Sequence, residues 1–125
     1  LLPYAASDTT DKLPLYEKAW HTGANSLEGT DQGSAISIEA RPLDTLPLPD
    51  PTRIALIKID VEGHELKTLA GMPELLATVS PGTRMVIELQ PAHYAAASTL
   101  LEAADFVESE ARAGNNYCFI KRIKT

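Results

Sequence analysis

An almost continuous apolar run, Ile54–Ile59, ends directly before a carboxylate and constrains the fold more than any other segment. Such runs are typical of strands that are covered on both faces of a sheet. A helical pattern follows over His64–Val79, with apolar residues at steps of three and four, and a second strand of the buried type spans Met85–Leu89. Because parallel strands are joined by a crossover connection, this order predicts a βαβ unit over residues 54–90.

The elements around this unit complete an α/β prediction. Gly71 and Pro73 interrupt the helical pattern, so one helix is expected to end near Gly71 and another to begin at Pro73. A further helix is predicted over residues 94–104, followed by two strands that a Gly-Asn-Asn turn joins as an antiparallel hairpin. The predicted fold class is a partial doubly wound, Rossmann-like sheet, mostly parallel, with an antiparallel hairpin at its C-terminal end.

The length of 125 residues suits one compact domain, which divides into two zones. Residues 1–53 are rich in strand and loop signals, and residues 54–125 hold the βαβ core and the hairpin. Within the first zone, Leu13–Glu17 and Ala35–Ala40 alternate in polarity and predict two strands, interpreted as an antiparallel pair.

Composition limits the partners that the chain is expected to have. The net charge of −6 argues against nucleic acid, since a phosphate backbone demands clustered Lys and Arg. The one basic cluster, Lys121, Arg122 and Lys124, is interpreted as a solvated tail. No apolar run approaches the ~20 residues that span a bilayer, so no membrane partner is expected. The single cysteine, Cys118, excludes an intramolecular disulfide and fits a reducing, cytoplasmic location.

Acidic residues follow both strands of the predicted βαβ unit. Asp60 and Glu62 come directly after the first strand, and Glu88 lies at the end of the second. Ligands of open α/β sheets bind at the carboxyl ends of parallel strands, which lie about 4.8 Å apart, so these acids are expected to converge on one pocket. Asp60, Glu62 and His64 would share one side if the extended backbone continued through Glu62. Asp60, Glu62 and Glu88 are the candidate catalytic residues. His64 is a candidate for contact with the substrate.

Structural roles compete with functional ones at this segment. Glu65 is assigned a structural role, because acids near a helix N-terminus are favoured by its dipole. Asp60 is assigned a functional role, because an acid at an otherwise apolar strand end is costly without one. No metal site is expected, although Asp60, Glu62 and His64 would offer carboxylate and imidazole ligands. The zinc-protease motif is incomplete, since Thr68 stands where its second His is required.

Several segments of the chain form one recognisable set. They are Leu43-Asp-Thr-Leu46, Ile57-Lys-Ile-Asp-Val-Glu-Gly-His-Glu65, Leu69-Ala-Gly71 and Ile87-Glu-Leu89, with Ala5-Ala-Ser-Asp8 and Asn25-Ser-Leu27 upstream. Together they resemble one protein family, the FkbM-type methyltransferases. The resemblance covers nearly the whole chain. It implies a methyl transfer from S-adenosylmethionine, the expected cofactor, to a hydroxyl of a small molecule, a sugar or a related acceptor.

The resemblance also implies roles for individual residues. Asp60, which ends the family's fourth strand, would lie in the reaction centre and contact the cofactor, and Ala6 and Ser7 would flank the adenine. Asp60 or Glu62 would take the proton of the acceptor hydroxyl. Asn25 and Ser26, in the loop that would shape the acceptor pocket, are expected to bind substrate.

The same resemblance implies that the chain is the C-terminal portion of a methyltransferase domain. The family's first strand, its Gly-rich cofactor loop and the acidic ribose-binding strand end would all precede Leu1. The strand Ile54–Ile59 would then expose an apolar edge, which predicts either a homodimer through that edge or its coverage by the first zone. Two other functions stay open: a non-enzymatic α/β assembly or binding module, and a metal-dependent hydrolase that uses Asp60, Glu62 and His64.

Overall fold

The structure is a computed structural model that describes residues 1–16, 27 and 35–123. The described residues form seven strands and three α-helices. In chain order these are β1 (Ala5–Ala6), β2 (Asp11–Tyr16), β3 (Ala35–Arg41), β4 (Leu56–Ile59), α1 (Glu65–Ala70), α2 (Pro73–Thr78), β5 (Arg84–Glu88), α3 (Tyr94–Ala103), β6 (Phe106–Ala113) and β7 (Asn116–Lys121). Short 3₁₀ turns lie at Leu43–Thr45, Pro51–Arg53 and Pro91–His93.

The larger of the two sheets has four strands in the order β4-β5-β7-β6. β4 and β5 are parallel and are joined through α1 and α2, which confirms the predicted βαβ unit. β7 is antiparallel to both β5 and β6, which confirms the predicted hairpin. The sheet is therefore mixed, and the expectation of a mostly parallel sheet is wrong for the described residues. The tight turn at Gly114, whose φ is +61°, reverses the chain and inserts β7 beside β5 in the antiparallel sense.

The first zone contributes a separate three-stranded sheet with the order β1-β3-β2. β2 and β3 are antiparallel, as the alternating pattern predicts, while β1 is parallel to β3. Ala40 of β3 is fully buried. The short strand β1 places Ala6 and Ser7 beside Arg41, with the Ser7 amide donating to the Arg41 carbonyl at 3.1 Å.

Among the residues that the structure describes, one face of the four-stranded sheet carries the core. The register aligns Ile59 with Ile87 and Ile87 with Tyr117, and all three side chains are buried in the cluster that also holds the inner faces of the helices. Leu56, on the opposite face, is 60% exposed. A strand covered on both faces, and hence a doubly wound arrangement, was expected from the apolar run Ile54–Ile59; in the described residues the helices pack on one side of it.

β4 lies at the edge of this sheet and pairs with β5 alone among the described strands. Coverage of that edge by β1, β2 or β3 is not observed, because these strands form their own sheet. Homodimerisation through β4 remains a prediction. No helix in the described part of the chain is long and apolar enough to cross a bilayer.

Lys121 corrects the expectation of a solvated basic tail. Its side chain is buried at the end of β7, and its ammonium donates to the carbonyls of Leu76 and Ala104 at 2.8 and 2.6 Å. The ammonium also lies 5.3 Å from the ring centre of Phe106. Because side chains alternate along a strand, Lys121 shares the buried face with Tyr117 and Phe119. The alternation of β7 was the sequence signal that indicates this burial.

Candidate functional site

The register of the parallel pair brings two acids together at the carboxyl edge of the sheet. Ile59 is aligned with Ile87, so the next residues, Asp60 and Glu88, are neighbours. Alternation places both on the face opposite to the core, where Asp60 is exposed and Glu88 is half-buried. Carboxylate oxygens of Asp60, Glu62 and Glu88 all lie within 4.8 Å of one another. The structure therefore brings together the three acids that the sequence analysis names as catalytic candidates.

A left-handed residue brings Glu62 into this cluster. Its φ is +49°, and the following Gly63 has a φ of +102°. The extended backbone therefore stops before Glu62, and the condition for Asp60, Glu62 and His64 to share one side is not met. A left-handed conformation costs a residue with a Cβ about 1–2 kcal/mol, a cost that the surrounding contacts must offset.

Glu65, in the first turn of α1, supplies contacts that offset this cost. Its carboxylate is 2% exposed, and its Oε1 accepts hydrogen bonds from the amides of Val61 and Gly63 at 3.4 and 3.2 Å. These bonds hold the loop that carries Glu62 against the first turn of α1. Oε2 of the same carboxylate is buried and has no hydrogen-bond partner among the described residues.

The accumulation of negative charge changes the acidity of Glu88. A hydrogen bond with Asp60 raises the pKa of Glu88 most, followed by the charge of Asp60, by burial, and by the charges of Glu62 and Glu65. Lys58 Nζ lies 3.6 Å from Asp60 on the same face of β4, in an exposed position where solvent screens the pair. Two neighbouring carboxylates thus share an edge at which a proton is held more tightly than on an ordinary glutamate.

His64 belongs to a second cluster, at the end of β1. Its imidazole is 2% exposed, and Nε2 lies 3.0 Å from the hydroxyl of Ser7, which is itself buried. The Ser7 hydroxyl also donates to Asp8 Oδ1 at 3.2 Å, and Thr68 Oγ1 donates to the Ala6 carbonyl at 3.3 Å. These bonds join the carboxyl end of β1 to helix α1.

Gly71, at the end of α1, permits this close contact between the end of β1 and α1. A Cβ at position 71 would lie 1.9 Å from the carbonyl oxygen of Ser7 and 3.1 Å from the Cα of Pro42. The φ of Gly71 is −89°, an ordinary value, so the requirement for glycine here is one of space. The Leu-x-Gly segment of the sequence thus has a packing role that its pattern alone does not reveal.

The remaining predicted site residues have different outcomes. Ala6 and Ser7 lie at the carboxyl end of a strand, as expected, and their contact with a cofactor remains a prediction. His64 is enclosed by Ser7 and the α1 turn, and contact with substrate remains a prediction for it. Asn25 and Ser26 lie outside the described residues.

Asp44 is a residue whose role the sequence analysis missed. Its two carboxylate oxygens accept from the amides of Glu74 and Leu75, at 2.7 and 2.9 Å, and so cap the first turn of α2 from a distant segment. The sequence signal was an acid in a short Pro-bounded turn, which gives no indication of the helix that it caps. Asp44 thus fixes α2, which belongs to the crossover connection between β4 and β5. That connection begins with the acidic loop, residues 60–63.

Comparison with known proteins identifies the family of the chain. The model of the family described as the methyltransferase FkbM domain matches residues 2–117. Searches of curated proteins and of solved structures gave no significant match. The matched range includes β1, the acidic loop after β4 and the end of β5. The chain therefore belongs to the FkbM methyltransferase family.

Proposed function

We propose that this chain takes part in the transfer of a methyl group from S-adenosylmethionine to a hydroxyl of a small molecule, such as a sugar or a related natural product. Family membership supports methyltransferase activity in general. The observation that carries the finer proposal is the convergence of Asp60, Glu62 and Glu88 at the carboxyl edge of β4 and β5. That edge is where open α/β sheets bind their ligands.

The residues at this edge fit a cationic cofactor. When bound, S-adenosylmethionine supplies an electrophilic methyl group on a positively charged sulfur, and a cluster of carboxylates favours a positive charge nearby. Asp60 would contact it directly. Ala6 and Ser7 would flank its base through surface contact, because the Ser7 amide and hydroxyl and the Ala6 carbonyl are already hydrogen-bonded within the chain.

The pair formed by Asp60 and Glu88 would accept the proton that the acceptor hydroxyl loses. A general base works best when its pKa lies near the working pH, and the pKa of Glu88 is raised in that direction by Asp60. Glu62, the third acid of the cluster, is the alternative proton acceptor. The bonds of Glu65 to the loop and the pairing of β4 with β5 would keep these oxygens close together before the reaction, so that little reorganisation is needed.

Calorimetric titration of this chain with S-adenosylmethionine tests the proposal. We expect Asp60→Asn to weaken binding by at least about tenfold, by analogy with the loss of a charged hydrogen-bonding partner. Glu102→Gln, on the exposed surface of α3, removes the same charge away from the site and should leave binding unchanged. Absence of binding both by this chain and by a version extended upstream of Leu1 would contradict the proposal and favour the non-enzymatic binding module. The cytoplasmic location also remains a prediction.

A further inference from the structure

His64 connects the acidic loop to two other elements of the structure. Its amide donates to the Val61 carbonyl at 3.2 Å and so closes the turn of the loop, and its carbonyl accepts from the Thr68 amide at 3.0 Å in the first turn of α1. Its ring reaches the hydroxyl of Ser7, which lies 57 positions earlier in the chain, at the end of β1. One residue therefore belongs to the loop, to the start of the helix and to the contact with β1.

The hydrogen bonds around Ser7 have a definite direction. The Ser7 hydroxyl has one hydrogen and donates it to Asp8 Oδ1 at 3.2 Å, so it accepts from His64, whose Nε2 must carry a proton. Ser7 is 1% exposed and His64 is 2% exposed. Because solvent does not replace a lost partner at such depth, the bond fixes the imidazole in one tautomer and one orientation.

The position of the loop relative to β1 depends on this contact. Glu65 bonds the loop amides and so attaches the loop to its own helix, which leaves the distance to β1 to be set by other groups. Side-chain hydrogen bonds from His64 and Thr68 join the start of that helix to the end of β1. Of these two residues, His64 is nearer to the loop, two positions after Glu62, whose φ of +49° needs support from its surroundings.

The two ends of this contact carry the two parts of the proposed cofactor site. Ala6 and Ser7 would flank the base of S-adenosylmethionine, and Asp60 would contact the same molecule. Because one molecule must reach both parts, the elements that carry them must be spaced to match it. A misplacement of about 1 Å far from the chemistry can cost about 100-fold in rate.

We propose that His64 is a positioning residue, which acts through Ser7 to hold the acidic loop at the distance from the end of β1 that one cofactor molecule requires. This role rests on the function proposed above. Loss of the bond should leave both parts of the cofactor site present and no longer aligned, so that a ligand of one part is affected less than a ligand of both.

The first test needs no cofactor. Ser7→Ala should shift the amide NMR signals of Glu62 and Gly63, although both lie far from it in the chain, because the path through His64 joins them. In the His64→Leu background the same substitution should move these signals no further, since the path is already lost. Thr68→Val is the matched control, because it removes the other side-chain bond to the end of β1 and should shift the loop signals less.

The second test compares two ligands by calorimetry, S-adenosylmethionine and adenosine, which lacks the sulfonium group. His64→Leu should weaken binding of the cofactor by at least about tenfold and binding of adenosine by less than about threefold, because adenosine needs one part of the site alone. His64→Gln, whose side-chain amide can donate to Ser7 in place of Nε2, should restore the cofactor affinity to within about threefold of the native value. Equal losses for the two ligands, or no rescue by glutamine, would show that His64 only supports the fold.

The two proposals fail in distinguishable ways. If neither this chain nor a version extended upstream of Leu1 binds S-adenosylmethionine, the proposed function fails and the positioning role fails with it, whereas the amide signals still report whether His64 joins Ser7 to the loop. If the cofactor binds and Ser7→Ala leaves the loop signals in place, the positioning role is refuted and the function stands. Should His64→Leu fail to fold by circular dichroism, Ser7→Ala and His64→Gln carry both tests.

Discussion

Replacement of Gly71 by alanine tests the contact that joins the end of β1 to α1. The new Cβ would lie 1.9 Å from the Ser7 carbonyl oxygen, whereas real Cβ atoms essentially never approach closer than 3.0 Å. Ser7 must therefore retreat by about 1.1 Å, or α1 must shift by a similar amount. The Ser7 carbonyl oxygen and the nearby Cα of Pro42 are both backbone atoms, so no side-chain rotation relieves the clash.

The magnitude follows from the bonds that this displacement stretches. The Ser7 amide donates to the Arg41 carbonyl at 3.1 Å, and the Ser7 hydroxyl lies 3.0 Å from His64 Nε2. A shift of about 1.1 Å takes at least one of these hydrogen bonds beyond its normal range. Overpacking costs about 1–3 kcal/mol, and a lost buried hydrogen bond adds about 1 kcal/mol. Alanine also restricts the unfolded chain, which stabilises the folded protein by about 0.5–1 kcal/mol. The net expected loss is about 2 kcal/mol, within a range of about 1–3.5 kcal/mol.

Urea unfolding followed by circular dichroism measures this loss, and Gly114→Ala is the matched control. Position 114 has a φ of +61° and no heavy atom within 4 Å of a new Cβ, so alanine there pays only the backbone cost of about 1 kcal/mol. We expect Gly71→Ala to lower the free energy of unfolding by about 1 kcal/mol more than Gly114→Ala does. Equal losses in the two variants would show that the Ser7 contact is not formed, and would refute the link between β1 and α1.

Three further predictions concern groups outside the acidic cluster. Asp44→Ala should destabilise the chain by about 1–2 kcal/mol in thermal unfolding, because it removes both acceptors at the start of α2; an unchanged melting temperature would contradict this cap. Lys121→Met should cost about 2 kcal/mol, since two buried carbonyls lose their donor; a more stable variant would show that burial of the ammonium outweighs its bonds. The pKa of Tyr94 is raised chiefly by its hydrogen bond to Glu108, so Glu108→Gln should move the phenol absorbance change to lower pH; no movement would exclude that bond.

Local sequence signals predicted the parts of the fold that depend on neighbours in the chain. The βαβ order, the helix break between Gly71 and Pro73 and the hairpin after Ala113 each arise from short-range chemistry, and each is present. Turn residues and helix starts act within a few positions, so one sequence is enough to locate them.

Long-range packing accounts for the features that the sequence did not predict. The apolar run Ile54–Ile59 is compatible with burial on one face or on two, and only the placement of the helices decides between them. Lys121 is charged, and composition favours solvent for it, yet the carbonyls at the ends of two helices offer acceptors in the core. The cap that Asp44 provides acts across 30 positions, a separation that no local pattern encodes.

The candidate site shows the same division between what a register implies and what a backbone turn adds. Parallel pairing of β4 and β5 is enough to place Asp60 beside Glu88, and the sequence analysis expected that convergence. Glu62 joins them only because its φ is positive, a conformation that glycine and asparagine adopt at lower cost. A glutamate at that position, held by the bonds of Glu65 to the adjacent amides, keeps a third carboxylate at the edge at the expense of backbone strain. The strain, rather than the acidity alone, distinguishes this loop from an ordinary helix start with favourable acids.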